Sequence, residues 1–171
     1  PSFSTPRLMS ASVLPKRAWT LSRSTWREAR KASVAPRLDA NDTITVPAGT
    51  YTITIAGADE EINATGDFDI VGDLTIVGAG AANTIIDAAG LDRVFDLHLG
   101  VLVLDSMTIT NGDAGSGSGG NILERAFTDV TVIDSVVSHG NALRGGGISG
   151  SQGSLMIVRS EIIDNVVTSV Q

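Results

Sequence analysis

The chain has no cysteine among its 171 residues. That excludes disulfide staples, thiolate metal centres and a cysteine nucleophile, and it leaves the compartment open. Aromatic residues make up only 4%, so a core built from this chain must be aliphatic. Charged residues make up 18%, below the roughly 25% of an average globular protein. No apolar run of about 18 residues occurs, which excludes a membrane-spanning helix. No clean signal peptide is visible, and a first residue that is proline rather than methionine suits a leader or tag already removed.

What is present favours strands. Apolar residues make up 42% of the chain, glycine contributes 19 residues, and Val, Ile, Thr and Asp dominate the rest. Such a composition suits short strands joined by tight turns rather than helices. The charge is unevenly spread. Residues 1–40 hold eight Lys and Arg against Glu28 and Asp39, whereas residues 41–171 hold four Arg against seventeen acids. An acidic body of this kind is a poor match for nucleic-acid phosphates. Solubility is the plain reading of the acid, with cation binding or attraction of a basic partner as the functional ones.

Residues 1–23 read as an irregular arm punctuated by Pro1, Pro6 and Pro15. Residues 24–40 read as a short helix and a linker: Ser24 or Thr25 is a fitting N-cap, Glu28 stands at capping-box spacing, Trp26, Ala29, Ala32 and Val34 give an apolar side, and Pro36 ends it. From Asn41 the period becomes two. Ile44 and Val46 alternate with threonines, and Tyr51, Ile53 and Ile55 do so again after Pro47-Ala48-Gly49. Short strand signals then recur to the end, separated by Gly, Asn, Asp or Ser.

Self-similarity decides the architecture. Leu104-Asp105-Ser106-Met107, Ile133-Asp134-Ser135-Val136 and Val158-Arg159-Ser160-Glu161 resemble one another, with their serines 29 and 25 residues apart. Gly119-Gly120-Asn121-Ile122 is echoed by Gly145-Gly146-Gly147-Ile148. A repeat of this length points to a solenoid, and it is too short for a propeller blade and leaves no room for the helix of a leucine-rich repeat. The reading is an all-β, right-handed parallel β-helix over residues 41–171, of about five coils, with a short N-terminal capping helix. Aliphatic side chains stack inward, glycines turn the corners, and Asn111, Asn141 and Asn165 are expected to form an internal amide ladder.

Asn41-Asp42-Thr43-Ile44-Thr45-Val46-Pro47-Ala48-Gly49-Thr50-Tyr51, Gly66-Asp67-Phe68-Asp69-Ile70, Leu74-Thr75-Ile76-Val77-Gly78-Ala79-Gly80 and Asp92-Arg93-Val94-Phe95 resemble bacterial β-helix proteins with the CSLREA domain, within the pectate-lyase-like superfamily. The resemblance covers residues 24–171. Ser24-Thr25-Trp26-Arg27-Glu28-Ala29 stands in place of the name-giving motif, with Ser24 where the family has cysteine. The resemblance implies a helix that caps the solenoid and a secreted or cell-surface location, and it implies no single activity. Gln171 directly follows a strand signal with no polar cap, as in a truncated chain, so self-association into a homo-oligomer through the uncapped C-terminal coil is expected.

Several residue sets could carry chemistry. Asp67 and Asp69, at i and i+2, share a face. Pectate lyases place calcium on such a face beside an Arg or Lys base, and Arg93 is the nearby cation. The structural alternative is an ion pair from Arg93 to Asp67 or Asp69. Asp105, Asp134 and Arg159 occupy like positions in successive repeats. A stacked Asp-Asp-Arg column would resemble β-helical carbohydrate esterases, in which one Asp attacks and the other is acid and base. His98 and His139 are the only histidines. His139, with Ser135 or Ser138 nearby, is the better hydrolase candidate, although no nucleophile elbow is present. Gly78-Ala79-Gly80 followed by a strand is a solenoid corner rather than a dinucleotide fingerprint, and the Thr-x-Thr pairs are too scattered for an ice-binding face. The expectation is a noncatalytic solenoid that binds a polysaccharide or cell-surface glycan or associates with itself, the alternative being a polysaccharide lyase or carbohydrate esterase. No motif requires a cofactor, and calcium is the ion that the acidic face suits.

Overall fold

The computed structural model describes residues 18–20, 38–58 and 63–168. Within them the chain forms a parallel β-solenoid of about four turns, without a helix. Its strands are β1 (Ala18–Thr20), β2 (Leu38–Thr45), β3 (Gly49–Thr52), β4 (Phe68–Val77), β5 (Thr84–Asp87), β6 (Phe95–Leu99), β7 (Val101–Asp105) and β8 (Thr108–Thr110). They continue with β9 (Ile122–Glu124), β10 (Asp129–Ile133), β11 (Val136–Ser138), β12 (Asn141–Ala142), β13 (Ile148–Gly150), β14 (Ser154–Val158), β15 (Glu161–Ile163) and β16 (Val166–Val167).

Three long stacks make the walls. One runs β1-β2-β4-β7-β10-β14, the second β3-β5-β8-β11-β15, and the third from the first half of β4 through β6 and β9 to β13. A short pair, β12-β16, stands beside them. Every pairing is parallel. The five strands of the second stack enclose four steps, against the five coils expected from the extent of residues 41–171. The arm read as irregular contributes β1, in register with Thr43–Thr45 of β2, a strand too short to show a period in sequence. The capping helix expected over 24–36 lies outside the described residues.

Register builds the core. Ile44, Ile76, Leu104, Val132 and Ile157 are successive partners in the first stack. Tyr51, Ile86, Ile109, Val137 and Ile162 are partners in the second. Phe68, Phe95, Ile122 and Ile148 are partners in the third, with the two rings tilted at 38° and 5.8 Å between centroids. The three columns meet in one aliphatic core. Each fully buried side chain of this kind contributes roughly 1.5–3 kcal/mol, and alternate residues of strands such as β7 and β10 point into the core while those between them face outward.

Corners need left-handed backbone. Ser106, Asp134 and Arg159 have φ of 58°, 46° and 48°, and Asn111, His139 and Asp164 have 58°, 52° and 53°. These are two repeating corners occupied by non-glycine residues, a minor strain that the stacked rungs impose. Where the backbones come closest, only glycine fits: a Cβ on Gly100, at φ 95°, would stand 2.5 Å from the Gly72 carbonyl carbon of the rung below.

The register corrects one expectation. Asp105 pairs with Val77 on one side and Ile133 on the other, so the step to the next rung is 28 residues and not the 29 of the aligned serines. Asp134 therefore stacks between Ser106 and Arg159, and Asp105 does not stack on it. A slip of one residue moves a side chain to the opposite face. The amide ladder is also different. Asn121 and Asn165 take the internal places, each accepting from a corner glycine at 2.8 Å, Gly112 and Gly140 respectively, and Asn121 donates to Asn165 at 3.3 Å. Asn111 and Asn141 instead point to carboxylates on the outside.

Leu104→Ala, which empties a fully buried place in the middle of a column, should lower the unfolding free energy by ~2–5 kcal/mol in a urea titration. Val103→Thr, outward and flanked by Thr75 and Thr131, should stay within ~0.5 kcal/mol of the parent. Similar losses for both would contradict the assignment of faces.

Candidate functional site

Two places gather polar side chains. The first lies on the outer side of the third stack. Asp69 and Asp96 are register partners on β4 and β6, and Asp67 and Asp92 stand in the turns that lead into those strands. All four are buried. Arg93 reaches across the rung: its Nη1 is 3.2 Å from Asp67, 3.6 Å from Asp92 and 3.7 Å from Asp96, and its Nε donates to the Ser118 carbonyl at 3.1 Å. Arg125 grips Asp96 with both ends of its fork at 2.8 Å, the bidentate geometry that favours Arg over Lys. His98 Nε2 is 3.1 Å from Asp69 and 3.6 Å from Asp96. Asn63 fixes Asp69 from the side, donating its backbone N–H to the carboxylate at 3.0 Å.

Two guanidinium groups serve four carboxylates here, and one proton makes up part of the shortfall. Burial pushes the Asp67 carboxyl up to about 7, repulsion from Asp92, Asp69 and Asp96 adds to this, and Arg93 only partly opposes it. One ligand atom each from Asp69, Asp96 and His98 lies within 4.8 Å of the others, near enough to hold a metal ion. Calcium takes roughly six to eight oxygen ligands. An imidazole and two guanidinium groups already occupy this cluster, so its residues do not suit the calcium ion expected at Asp67 and Asp69.

The second place is an open groove of about 440 Å³ along the corner that follows the second stack. Asp87 and Ala89 line it from one rung, Asn111 and Asp113 from the next, and His139 and Asn141 from the third. Left-handed backbone at Ala89, Asn111 and His139 forms this corner. Asp87 accepts from Ala89 N–H at 2.8 Å and from Asn111 Nδ2 at 3.0 Å. Asp113 accepts from Gly115 N–H at 2.8 Å and from Asn141 Nδ2 at 3.1 Å. Each carboxylate is thus tied to an asparagine of the following rung.

The sequence candidates separate. Asp67, Asp69 and Arg93 come together, and Arg93 Nη1 donates to Asp67 at 3.2 Å, a contact that becomes a full ion pair when Asp67 loses its proton. Asp134 and Arg159 form an exposed bidentate pair at 2.7 and 2.6 Å, which lowers the carboxyl and raises the guanidinium. Asp105, in the neighbouring position, accepts from Ser106 Oγ at 2.7 Å. The Asp-Asp-Arg column is therefore a pair with a serine below it. His139 lines the groove, away from both. Sequence reasoning missed the groove pairs, Arg125 and also Glu124. Glu124 sits on β9 in register with buried Leu97 and with Gly150, is itself buried, and has no hydrogen-bond partner for Oε1. Burial raises its carboxyl above the ordinary value, and Asp129 adds to this. The signal was the reversal from Phe95-Asp96-Leu97 to Ile122-Leu123-Glu124, visible only once the register is known.

Asp67 holds its proton up to about pH 7 in the folded protein, against 3.8 ordinarily. The unfolded chain therefore releases it first, and the folded state is penalised as pH rises from about 4 to about 7. Asp67→Asn should be close to neutral at pH 4 and stabilising at pH 8, by up to ~4 kcal/mol, in denaturant titrations at the two values. A variant less stable than the parent at pH 8 would contradict this.

Comparison with family models, with curated proteins and with solved structures found no match.

Proposed function

We propose that this solenoid is a noncatalytic glycan-binding module of a secreted or cell-surface protein, and that the groove beside the second stack seats the glycan. One observation carries the reading. The groove takes hydrogen-bonding side chains from three successive rungs, Asp87, then Asn111 and Asp113, then His139 and Asn141. Rungs repeat every ~4.8 Å, so polar groups of differing kind, Asn111 then His139 and Asp113 then Asn141, recur along the axis, a spacing that suits a polymer of repeating polar units lying along it. The location accords with the CSLREA-like resemblance of Gly66–Ile70 and Asp92–Phe95. The acidic body argues against nucleic acid.

The lyase or esterase alternative has less support. Asp105 and Asp134 are not register partners, Arg159 is held by Asp134, and Arg93 is held by Asp67. None of these residues lines the groove.

Self-association has an observation of its own. Leu155, Ile157 and Ile162 in the last described rung are 43%, 42% and 39% exposed, whereas their partners Val130, Val132 and Val137 are fully buried. A second copy of the chain is the cover we propose for them, by edge pairing. Light scattering after size exclusion should give a mass that rises with concentration and falls for Leu155→Lys/Ile157→Lys. A monomer at all concentrations would sink this part.

For the groove, the test is binding to a panel of oligosaccharides. Asn111→Ala/His139→Ala should weaken binding about tenfold or more, and Asp134→Ala should leave it unchanged. Release of unsaturated uronides or acetate by the parent, abolished in Asp105→Ala, Asp134→Ala or Arg93→Ala, would overturn the noncatalytic reading.

A further inference from the structure

We infer that the groove selects glycans whose sugars carry free ammonium groups, polymers of de-N-acetylated amino sugars, over neutral and uronic-acid polymers. This rests on the glycan-binding reading and goes further, because it follows from which hydrogen-bonding groups of the groove are still available. A carboxylate has two oxygens and accepts only, and an amide has one acceptor and two donor hydrogens. Each side-chain amide nitrogen in the groove already spends one of its two hydrogens inside the protein. Asn111 Nδ2 donates to Asp87 Oδ1, and Asn141 Nδ2 donates to Asp113 Oδ1. The same two oxygens also take the backbone N–H groups of Ala89 and Gly115.

What is left carries negative charge: beside one hydrogen on each amide and the His139 ring stand carboxylate oxygens with no donor. Among the described residues, no protein donor reaches Oδ2 of Asp87 or of Asp113. Among the described residues no Lys or Arg lines the groove. Nor, among them, does either carboxylate have an ion pair of the kind that holds Asp96 with Arg125 or Asp134 with Arg159. The two carboxylates therefore favour an occupant that brings donors, and positive charge over neutral donors, because a charge-assisted hydrogen bond is about twice as strong as a neutral one. Hydroxyl groups meet the first need and ammonium groups meet both. A uronate meets two uncompensated carboxylates and is repelled. Apart from Ala89 the lining offers nothing apolar against which the stem of a lysine would pack, so a basic peptide fits less well than a sugar whose ring is itself studded with donors.

The experiment compares an oligomer of glucosamine with its N-acetylated counterpart, an oligogalacturonate with and without calcium, and oligolysine of equal charge, by calorimetry at a pH where the amines are protonated. The expected result is binding of the glucosamine oligomer about tenfold or more tighter than its acetylated form, one charge-assisted hydrogen bond's worth. That preference should shrink below about threefold in Asp87→Asn/Asp113→Asn, which keeps Oδ1 of both residues as an acceptor and removes the charge. It should persist in Glu161→Gln/Asp129→Asn, which makes the same change in net charge outside the groove. Persistence of the preference in the groove variant would mean general attraction to an acidic protein and would overturn the inference. So would tighter binding of the uronate, with or without calcium, or groove-dependent binding of oligolysine as tight as that of the amino sugar. Equal binding of the two hexosamine oligomers would overturn the inference and leave the glycan reading standing. Binding of no oligosaccharide would bring down both.

Discussion

Each strand in this protein finds its hydrogen-bond partners only in the rung above and the rung below. Parallel pairing between rungs is therefore the interaction on which everything else depends. It fixes the register, and the register decides which residue of each short strand points inward. Ile76, Leu104 and Val132 form a column only because their strands are paired with no offset. The cost is paid at the corners, where Ser106, Asp134, Arg159, Asn111, His139 and Asp164 all adopt left-handed backbone.

The same stacking creates the polar features. Register places Asp69 beside Asp96, and like charges so close cannot stand uncompensated in a buried place. Arg93 and Arg125 answer part of that charge, and the proton retained by Asp67 answers more. This cluster is compensated in large part from within, by its own arginines and a retained proton. The groove at the Asn111–His139 corner differs in kind. Its side-chain amides are engaged within it, and it turns carboxylate oxygens outward. The two regions are built from the same residue types, and the placement of arginine separates them.

Much of the fold was legible in the residues. The change to a period of two after Asn41 and the recurring Gly-rich corners pointed to a solenoid because both follow from local backbone preference. The pairing of Arg93 with Asp67 was legible because Arg93 was the only cation near those acids in sequence. Register was not legible to the residue. Aligning Ser106 with Ser135 was chemically reasonable, yet Met107 is the residue that meets Ser135, its N–H donating to Ser135 Oγ at 3.1 Å. That one-residue difference dissolved the proposed Asp105–Asp134 stack. Arg125 and the groove pairs were hidden for a similar reason: Asp96 and Arg125 are 29 residues apart, and Asp113 and Asn141 are 28 apart. Contacts across rungs depend on loop lengths that no local pattern encodes.

The central claim is the register itself, and the absence of cysteine gives a clean background for testing it. Neighbouring parallel strands lie ~4.8 Å apart, within the reach of a disulfide. Thr108 and Val136 are register partners, and Val137 is the partner of Ile109 on the inward face. Cysteines introduced in place of Thr108 and Val136 should cross-link under mild oxidation of the folded protein, and cysteines in place of Thr108 and Val137 should not. Cross-linking of the second pair and not the first would show that the serine alignment is the true register and would contradict the account.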